Sequence, residues 1–460
     1  MSVKNTFSLS LQKQIASRNM NLDTEINRTF NELKLRSLLH RCHFEKQKGY
    51  LCIHLLFVLI LLPFLNSRLS RLWSTKYLAN FTNAKKDTLY RFLNHERFNW
   101  RKLLYLIALK TIAAGDDVPL REKTLIADDT NINKTGKNME LVSYHFDHKT
   151  GKSILGYQCL QLGYHNGINF FPLDVAQSTS SNRPNKKLRD IDKRTVGWQR
   201  RKDSFTKKTD VLIEMVDRAW KMGIDASFVL FDSWFSYDAI IAKILMMGYG
   251  VICRLKKGNV KYVYNGKAHT LKQLWKIVKK ETQWVGSQHA VKAKCIDVLL
   301  PKSGTIRIAF ISDGKKQWQA FLCTDIELEA SKILEYYARR WAIEVFFKDA
   351  KQLLDLGKEQ SQIFDAMIAG YSLVMLRYLL LVYILNKGRI TGALGPLFRE
   401  LSEQHQFVAI ADQLWSNFKE LLLNSSYIIC HEIEPDTLFY LIDLIENIII
   451  TNTQLPCAKV

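Results

Sequence analysis

The residues YARRWAIEVFFKDAK, running from Tyr337 to Lys351, decide how the rest of the chain is read. They belong to a stretch from Ile326 to about Leu356 whose spacing predicts one long helix. Tyr337, Arg340, Glu344, Lys348 and Lys351 lie at offsets 0, 3, 7, 11 and 14. At ~100° per residue these positions fall within a sector of ~80°. Polar side chains thus take a spacing usually given to a buried apolar face. One reading is a solvated face laced by the pairs Arg340–Glu344 and Glu344–Lys348. The other is a stripe aimed at a charged ligand.

Two hydrophobic strands upstream end in acids: TLIAD (124–128), followed by Asp129 and Thr130, and the strand before Asp232 in VLFDSWF. Ligand sites form at strand ends in α/β sheets, although an acid there is also an ordinary turn former. Three carboxylates brought together repel one another, and divalent cations relieve that repulsion. Two such ions about 3.5–4 Å apart activate water or a 3′-hydroxyl and stabilise the leaving oxygen of a phosphoryl transfer. Oxygen-only ligands favour Mg²⁺ or Mn²⁺ over zinc.

The charge balance agrees with a polyanionic partner. The chain has 460 residues, 66 Lys+Arg against 44 Asp+Glu, and a net charge of +22. Residues 361–460 hold 6 basic and 10 acidic residues, so the excess is confined to residues 1–360. With 47% apolar residues the chain is no disordered polyelectrolyte. Its eight cysteines contain no C-x-x-C pair and read as thiols of a reducing compartment. Cys42 and His43, with His40 and His54 nearby, lack the second ligand pair of a zinc finger. The apolar run 51–65 is short for a membrane span, and 363–385 is interrupted by Asp365 and Arg377, so both read as packed helices. The N-terminus shows no apolar segment of a secretory signal, and the expected location is the cytoplasm.

Along the chain, residues 1–115 read as helical. Within them Ser74–Ala79 and Lys85–Asn94 fit two short helices about a turn, the second carrying Lys85, Lys86 and Arg91. That is either a helix-turn-helix recognition element or a solvated basic face. Residues 116–360 read as α/β, with antiparallel hairpins through 142–175 and a β-rich insertion at about 256–321. The segment 183–208, which includes Arg200 and Arg201, holds 11 basic and 3 acidic residues, in contact with either a DNA backbone or solvent. Residues 361–460 read as mostly helical. Their apolar helices Met367–Leu385 and Tyr440–Ile450 suit either an interface between protomers or core packing.

The motif in the opening stretch resembles Y-x2-R-x3-E-x6-K, the mark of the IS-four-like group of DDE transposases of bacterial insertion sequences. Tyr337, Arg340, Glu344 and Lys351 are all in register, Asp128-Asp129-Thr130 is similar to the group's D-D-T, and Asp232 closes a strand as in the group. The spacings are 103 residues from Asp129 to Asp232 and 112 from Asp232 to Glu344. The resemblance implies a ribonuclease-H-like core with two Mg²⁺ or Mn²⁺ ions held by Asp129, Asp232 and Glu344. It implies an enzyme that cleaves element ends and joins their 3′ ends to target DNA in a paired-end homodimer at the bacterial nucleoid. It places Tyr337, Arg340 and Lys351, with Lys348 as a helper, on phosphates at the element end. Neither Trp318 nor Phe321 takes the position of the tryptophan on which relatives stack a flipped base. Because neighbours on a strand point to opposite faces, Asp128 is expected to face away from Asp232 and Glu344, or to cap the following turn. Two other readings share the fold: a repressor derived from a transposase that binds DNA without cutting it, and a nuclease that does not join.

Overall fold

The computed structural model describes residues 24–453 apart from 47, 70–81, 116–117, 148–149, 286–290, 315–316, 389–391 and 425–433. The chain divides into two compact units, one of residues 1–93 with 383–460 and one of residues 94–382. These divisions differ from the expected boundaries at 115/116 and 360/361, and the contacts below give the reason.

The first unit begins with helices α1 (Glu25–Glu32), α2 (Leu35–Arg41), α3 (Cys52–Leu61) and α4 (Lys86–Leu93). Thr24 caps α1, its hydroxyl accepting from the Asn27 N–H at 3.4 Å. Helix α3 is the apolar run of the sequence, and Leu55 through Leu61 are all buried. Helix α4 matches the second member of the expected helix-turn-helix and exposes Lys85, Lys86 and Arg91. The first member, at 74–79, lies outside the described residues.

The second unit opens with α5 (Trp100–Ala113), then β1 (Thr124–Asn133), β2 (Ser143–Asp147), β3 (Lys152–His165) and β4 (Phe170–Ser178). Next come α6 (Val196–Ser204), α7 (Lys208–Lys221), β5 (Phe228–Phe231), α8 (Asp238–Met246) and β6 (Gly250–Arg254). The insertion follows as β7 (Lys261–Tyr264), β8 (Lys267–Thr270), α9 (Leu271–Val278), β9 (Gln283–Val285), β10 (Val291–Leu300), β11 (Gly304–Ser312) and β12 (Trp318–Cys323). Helices α10 (Ala330–Ala338), α11 (Trp341–Gln352) and α12 (Phe364–Asn386) complete it. In the first unit α13 (Leu394–Asn424) and α14 (Pro435–Thr453) pack around Trp415, Leu422, Leu438 and Ile442.

The strands form one mixed sheet, ordered β2-β3-β1-β5-β6-β12-β11-β10-β7-β8, with β4 on β3 and β9 on β10. At its centre β1, β5 and β6 are parallel, while β3 and β12 flank them antiparallel. The expected hairpins of 142–175 are present as β2–β3 and β3–β4. The insertion extends the same sheet through β12. Strand β1 pairs with β3 along all ten residues, Thr124 to Asn133. It therefore continues past Asp128 and Asp129, where the sequence predicts an end. Only its pairing with β5 stops early, at Ile126. Gly156 allows the close β1–β3 approach, since a Cβ there would sit 2.1 Å from the Ile132 carbonyl oxygen.

Ion pairs explain why α5 belongs with the sheet. Arg101 donates to Asp174 of β4 at 3.0 Å and also reaches Asp203 of α6, while Arg218 of α7 donates to Asp174 at 2.7 Å. Helix α12 is long and apolar enough to cross a membrane, but its apolar window is 94% buried inside the protein. Its two charges are both satisfied there: Asp365 by Arg201, and Arg377 by the Leu354 carbonyl at 2.8 Å. Of the two readings of Met367–Leu385, core packing is therefore the one observed through Leu381.

Candidate active site

Alternation along β1 sends Asp128 and Thr130 to one face of the sheet and Asp129 to the other. The first face meets α11. Arg340 Nη1 donates to Asp128 Oδ2 at 2.6 Å, and Arg340 Nη2 donates to Glu344 Oε1. One guanidinium thus joins two acids that lie 216 residues apart in sequence. On the same face Lys351 Nζ donates to Thr130 Oγ1 at 2.8 Å. Asp129 instead receives Lys208 Nζ from α7. The expectation that Asp129 faces Glu344 while Asp128 turns away is reversed. Its phase rested on which acid precedes the threonine, whereas the pleat puts Asp128 and Thr130 together.

Asp232 follows the last residue of β5, and its Oδ1 accepts the Trp234 backbone N–H at 2.9 Å. Its charge is felt at Asp128. Burial, helped by the charges of Asp232 and Asp129, holds the Asp128 carboxyl up at about 6 against the pull of Arg340 and the Asp129 N–H. Tyr337 packs edge-on against Phe321 at 4.9 Å between ring centres, and the Arg340 guanidinium lies 5.8 Å from its ring. Burial raises the Tyr337 hydroxyl above its ordinary value, partly offset by the charges of Arg340 and Arg254. The structure therefore brings together Asp128, Asp232, Glu344, Tyr337 and Arg340, with Lys351 two turns beyond Glu344 on α11. Lys348 lies on the exposed side of α11.

The predicted single helix 326–356 is two helices. Around Arg339 and Arg340 the bonds run three residues back, from Arg339 to Tyr336, Arg340 to Tyr337 and Ile343 to Arg340. This is a 3₁₀-type joint. The two arginines at the joint have different partners: Arg339 donates to the Glu122 carbonyl at 2.6 Å and to its carboxylate, and Arg340 goes to β1. The buried face of α11 is Ile343, Phe346, Phe347 and Ala350, so the motif's polar stripe borders a packed core.

Arg200 and Arg201 correct the reading of the basic segment. Both are buried, each 4% exposed, and cannot meet a DNA backbone where they stand. Arg201 forks between Glu140 (2.7 and 2.8 Å) and Asp365 (3.0 and 2.8 Å). Arg200 lies beside Arg101, and burial first, then that neighbour's charge, lowers its pKa to about 9. The exposed cations of the segment are Lys186, Lys187, Arg189, Lys193, Arg194, Lys202 and Lys207. Sequence reasoning passed over Lys208 and Trp234, although both lie in stretches it singled out.

Among the described residues no three acidic, histidine or cysteine side chains are gathered as a ready metal site. The donor chemistry nevertheless fits a hard divalent ion. Asp128 and Glu344 already converge on one cation, Arg340, and Asp232 supplies a third oxygen donor whose charge reaches Asp128. The described cysteines are free and, except for half-buried Cys295, buried, while Cys430 and Cys457 lie outside the described residues.

Two family models match the chain: DDE superfamily endonuclease over residues 75–273 and transposase DDE domain over residues 200–380. Asp128 falls in the first match, Glu344 in the second and Asp232 in both. These matches support a DDE transposase, an enzyme of nuclease type, and the mixed sheet fits a ribonuclease-H-like core. No curated protein matches the chain. Among solved structures the chain is similar to the Drosophila P element transposase strand transfer complex, with 10% identity and a TM-score of 0.25 over 88% of this chain and 99% of that one.

Proposed function

We propose that this DDE-type chain is a transposase of the IS-four-like group, which cleaves the ends of a bacterial insertion sequence and joins the freed 3′ ends to target DNA. The observation that carries the reading is the single guanidinium shared by Asp128 and Glu344, with the Asp232 charge acting on Asp128. Asp128, Asp232 and Glu344 are the proposed ligands of two Mg²⁺ or Mn²⁺ ions, with Asp128 replacing Asp129 as the first acid. Bound there, the ions would activate the attacking hydroxyl and stabilise the leaving oxygen.

The chain's own residues do the rest. Arg340 balances two carboxylates until substrate arrives, and its planar fork suits a phosphate equally well. Lys348 and Lys351 complete a cationic margin to the acids, and the neutral Tyr337 hydroxyl offers a donor beside it, a set suited to the DNA backbone. Lys85, just before α4, with Lys86 and Arg91 on it, are the proposed contacts of a helical DNA-binding region, and α13 and α14, the part of 361–460 beyond the packed helix α12, are proposed to pair protomers at the bacterial nucleoid.

The test uses the full chain and DNA carrying the short inverted repeats that would flank the gene. Nicking and joining in Mg²⁺ or Mn²⁺, both lost in Glu344→Gln with binding kept within a few-fold, is the expected result. Binding without cleavage by the unaltered chain would leave the repressor, and cleavage without joined products the nuclease.

A further inference from the structure

The loop after Asp232 carries two large aromatic residues in the open: Trp234 is 48% exposed and Tyr237 is 55% exposed. They line a cleft of about 420 Å³ between the first turns of α7 and α8, together with Lys207, Lys243, Ile213 and Asp210. Two cations against one acid leave the cleft positive, before the chain's overall excess is counted. Two exposed aromatic rings lining one positive cleft suit a ligand that is both planar and anionic.

Trp234 is also propped from behind. Lys208 Nζ lies 5.3 Å from the centre of its ring, and the same ammonium is held by Asp129. A cation fixed over an aromatic face orients the ring. The Trp234 backbone N–H bonds Asp232 at 2.9 Å, which ties the platform to a proposed metal ligand. Ser233, one residue earlier, lines a separate cleft with Arg254, Lys256 and Lys257. Consecutive residues beside Asp232 thus border a cation-rich cleft and an aromatic one.

We infer that the cleft of Trp234 and Tyr237 holds unpaired nucleotides of the DNA strand that leads away from the reacting phosphate. Cations follow a backbone, and aromatic rings take bases of any sequence by stacking. Asp129 is then a positioning residue, acting through Lys208 on Trp234. The inference rests on the function proposed above and adds to it a preference for a frayed or forked DNA end.

The experiment measures binding of the full chain, without metal, to two labelled DNAs. One is a blunt duplex bearing the flanking inverted repeat; the other is the same duplex with six unpaired nucleotides at its end. The unaltered chain is expected to bind the forked DNA more tightly. Trp234→Ala should lose about tenfold of that advantage, the scale of one stacked base, and leave the blunt duplex unchanged. Trp234→Phe, which keeps a ring, should retain most of it, and Tyr237→Ala should lose part. No preference in the unaltered chain overturns the inference, as does equal weakening on both DNAs. A preference that survives Trp234→Ala with Tyr237→Ala also overturns it and places the unpaired strand elsewhere on the chain. Failure of the catalytic reading is seen elsewhere, as no cleavage in Mg²⁺, and leaves these metal-free results intact.

Discussion

Asp128 and Asp129 differ by one position and by everything around them. Asp128 is desolvated and bound to Arg340, and Asp129 is bound to Lys208 on the other face of β1. Asp128→Asn should therefore abolish cleavage, by at least ~10²-fold, since even outer-shell partners of metal ligands cost that much. Asp129→Asn should keep cleavage of a blunt-ended substrate and lower stability by no more than about 1 kcal/mol, the scale for an ion pair that water still reaches. A gel assay of cleavage at saturating Mg²⁺ decides between them; a dead Asp129→Asn with an active Asp128→Asn would restore the original assignment. Arg340→Lys should also fail, because one ammonium cannot fork between two carboxylates as a guanidinium does. That the two aspartates point opposite ways was legible in the sequence. Which of them points inward was not, because strand alternation gives the period and not the phase.

At the scale of elements, the motif's helix and its apolar face could be read from spacing, but the joint at Arg339 and Arg340 could not. It depends on Glu122 and Asp128, both more than two hundred residues away. The buried arginines were hidden for a similar reason: a basic run looks solvated until its acidic partners are found. One signal was available, since a lone Asp365 in an apolar helix requires a buried cation. The Arg201 fork joins α6, α12 and the loop that carries Glu140. Arg201→Ala would strand two buried carboxylates and should cost ~3–5 kcal/mol in urea denaturation. Burial raises Glu140, but hydrogen bonds from Arg201 and from the Phe364 and Arg189 N–H groups outweigh it and hold the pKa below the ordinary 4.5. A depressed carboxyl contributes stability above its unfolded pKa and loses it as pH falls through the folded value. The midpoint should therefore fall steeply below about pH 4.5 in the native chain and less steeply in Glu140→Gln.

For the whole molecule, patterning pointed to a mixed α/β chain with helical ends, while the assignment of segments to units required the structure. Helix α5 goes with the sheet because Arg101 meets Asp174 and Asp203, and most of α12 goes with it through Asp365. What remains open on the C-terminal helices is a pair of apolar stripes. Among the described residues Phe407, Ile410, Leu414 and Leu421 line α13, and Leu441 and Leu444 line α14, all between 42% and 62% exposed. If these stripes pair protomers as proposed, Leu414→Glu with Leu444→Glu should convert a dimer to a monomer in sedimentation velocity and make the melting temperature independent of protein concentration. A dimer that survives both changes would exclude this surface.

The wide separation of the three acids also sets a schedule. Asp128 and Glu344 are 216 residues apart, so at roughly 5–20 residues per second the ribosome needs about 10–40 s to pass from one to the other. Through that interval the nascent chain can pair β1 with β3, but it lacks Arg340 and Glu344, which are made only after the whole insertion. A chain released early by a broken message stops with the first acids and no third. Unfinished copies then lack the proposed chemistry, and cutting is reserved for chains whose translation has run past α11.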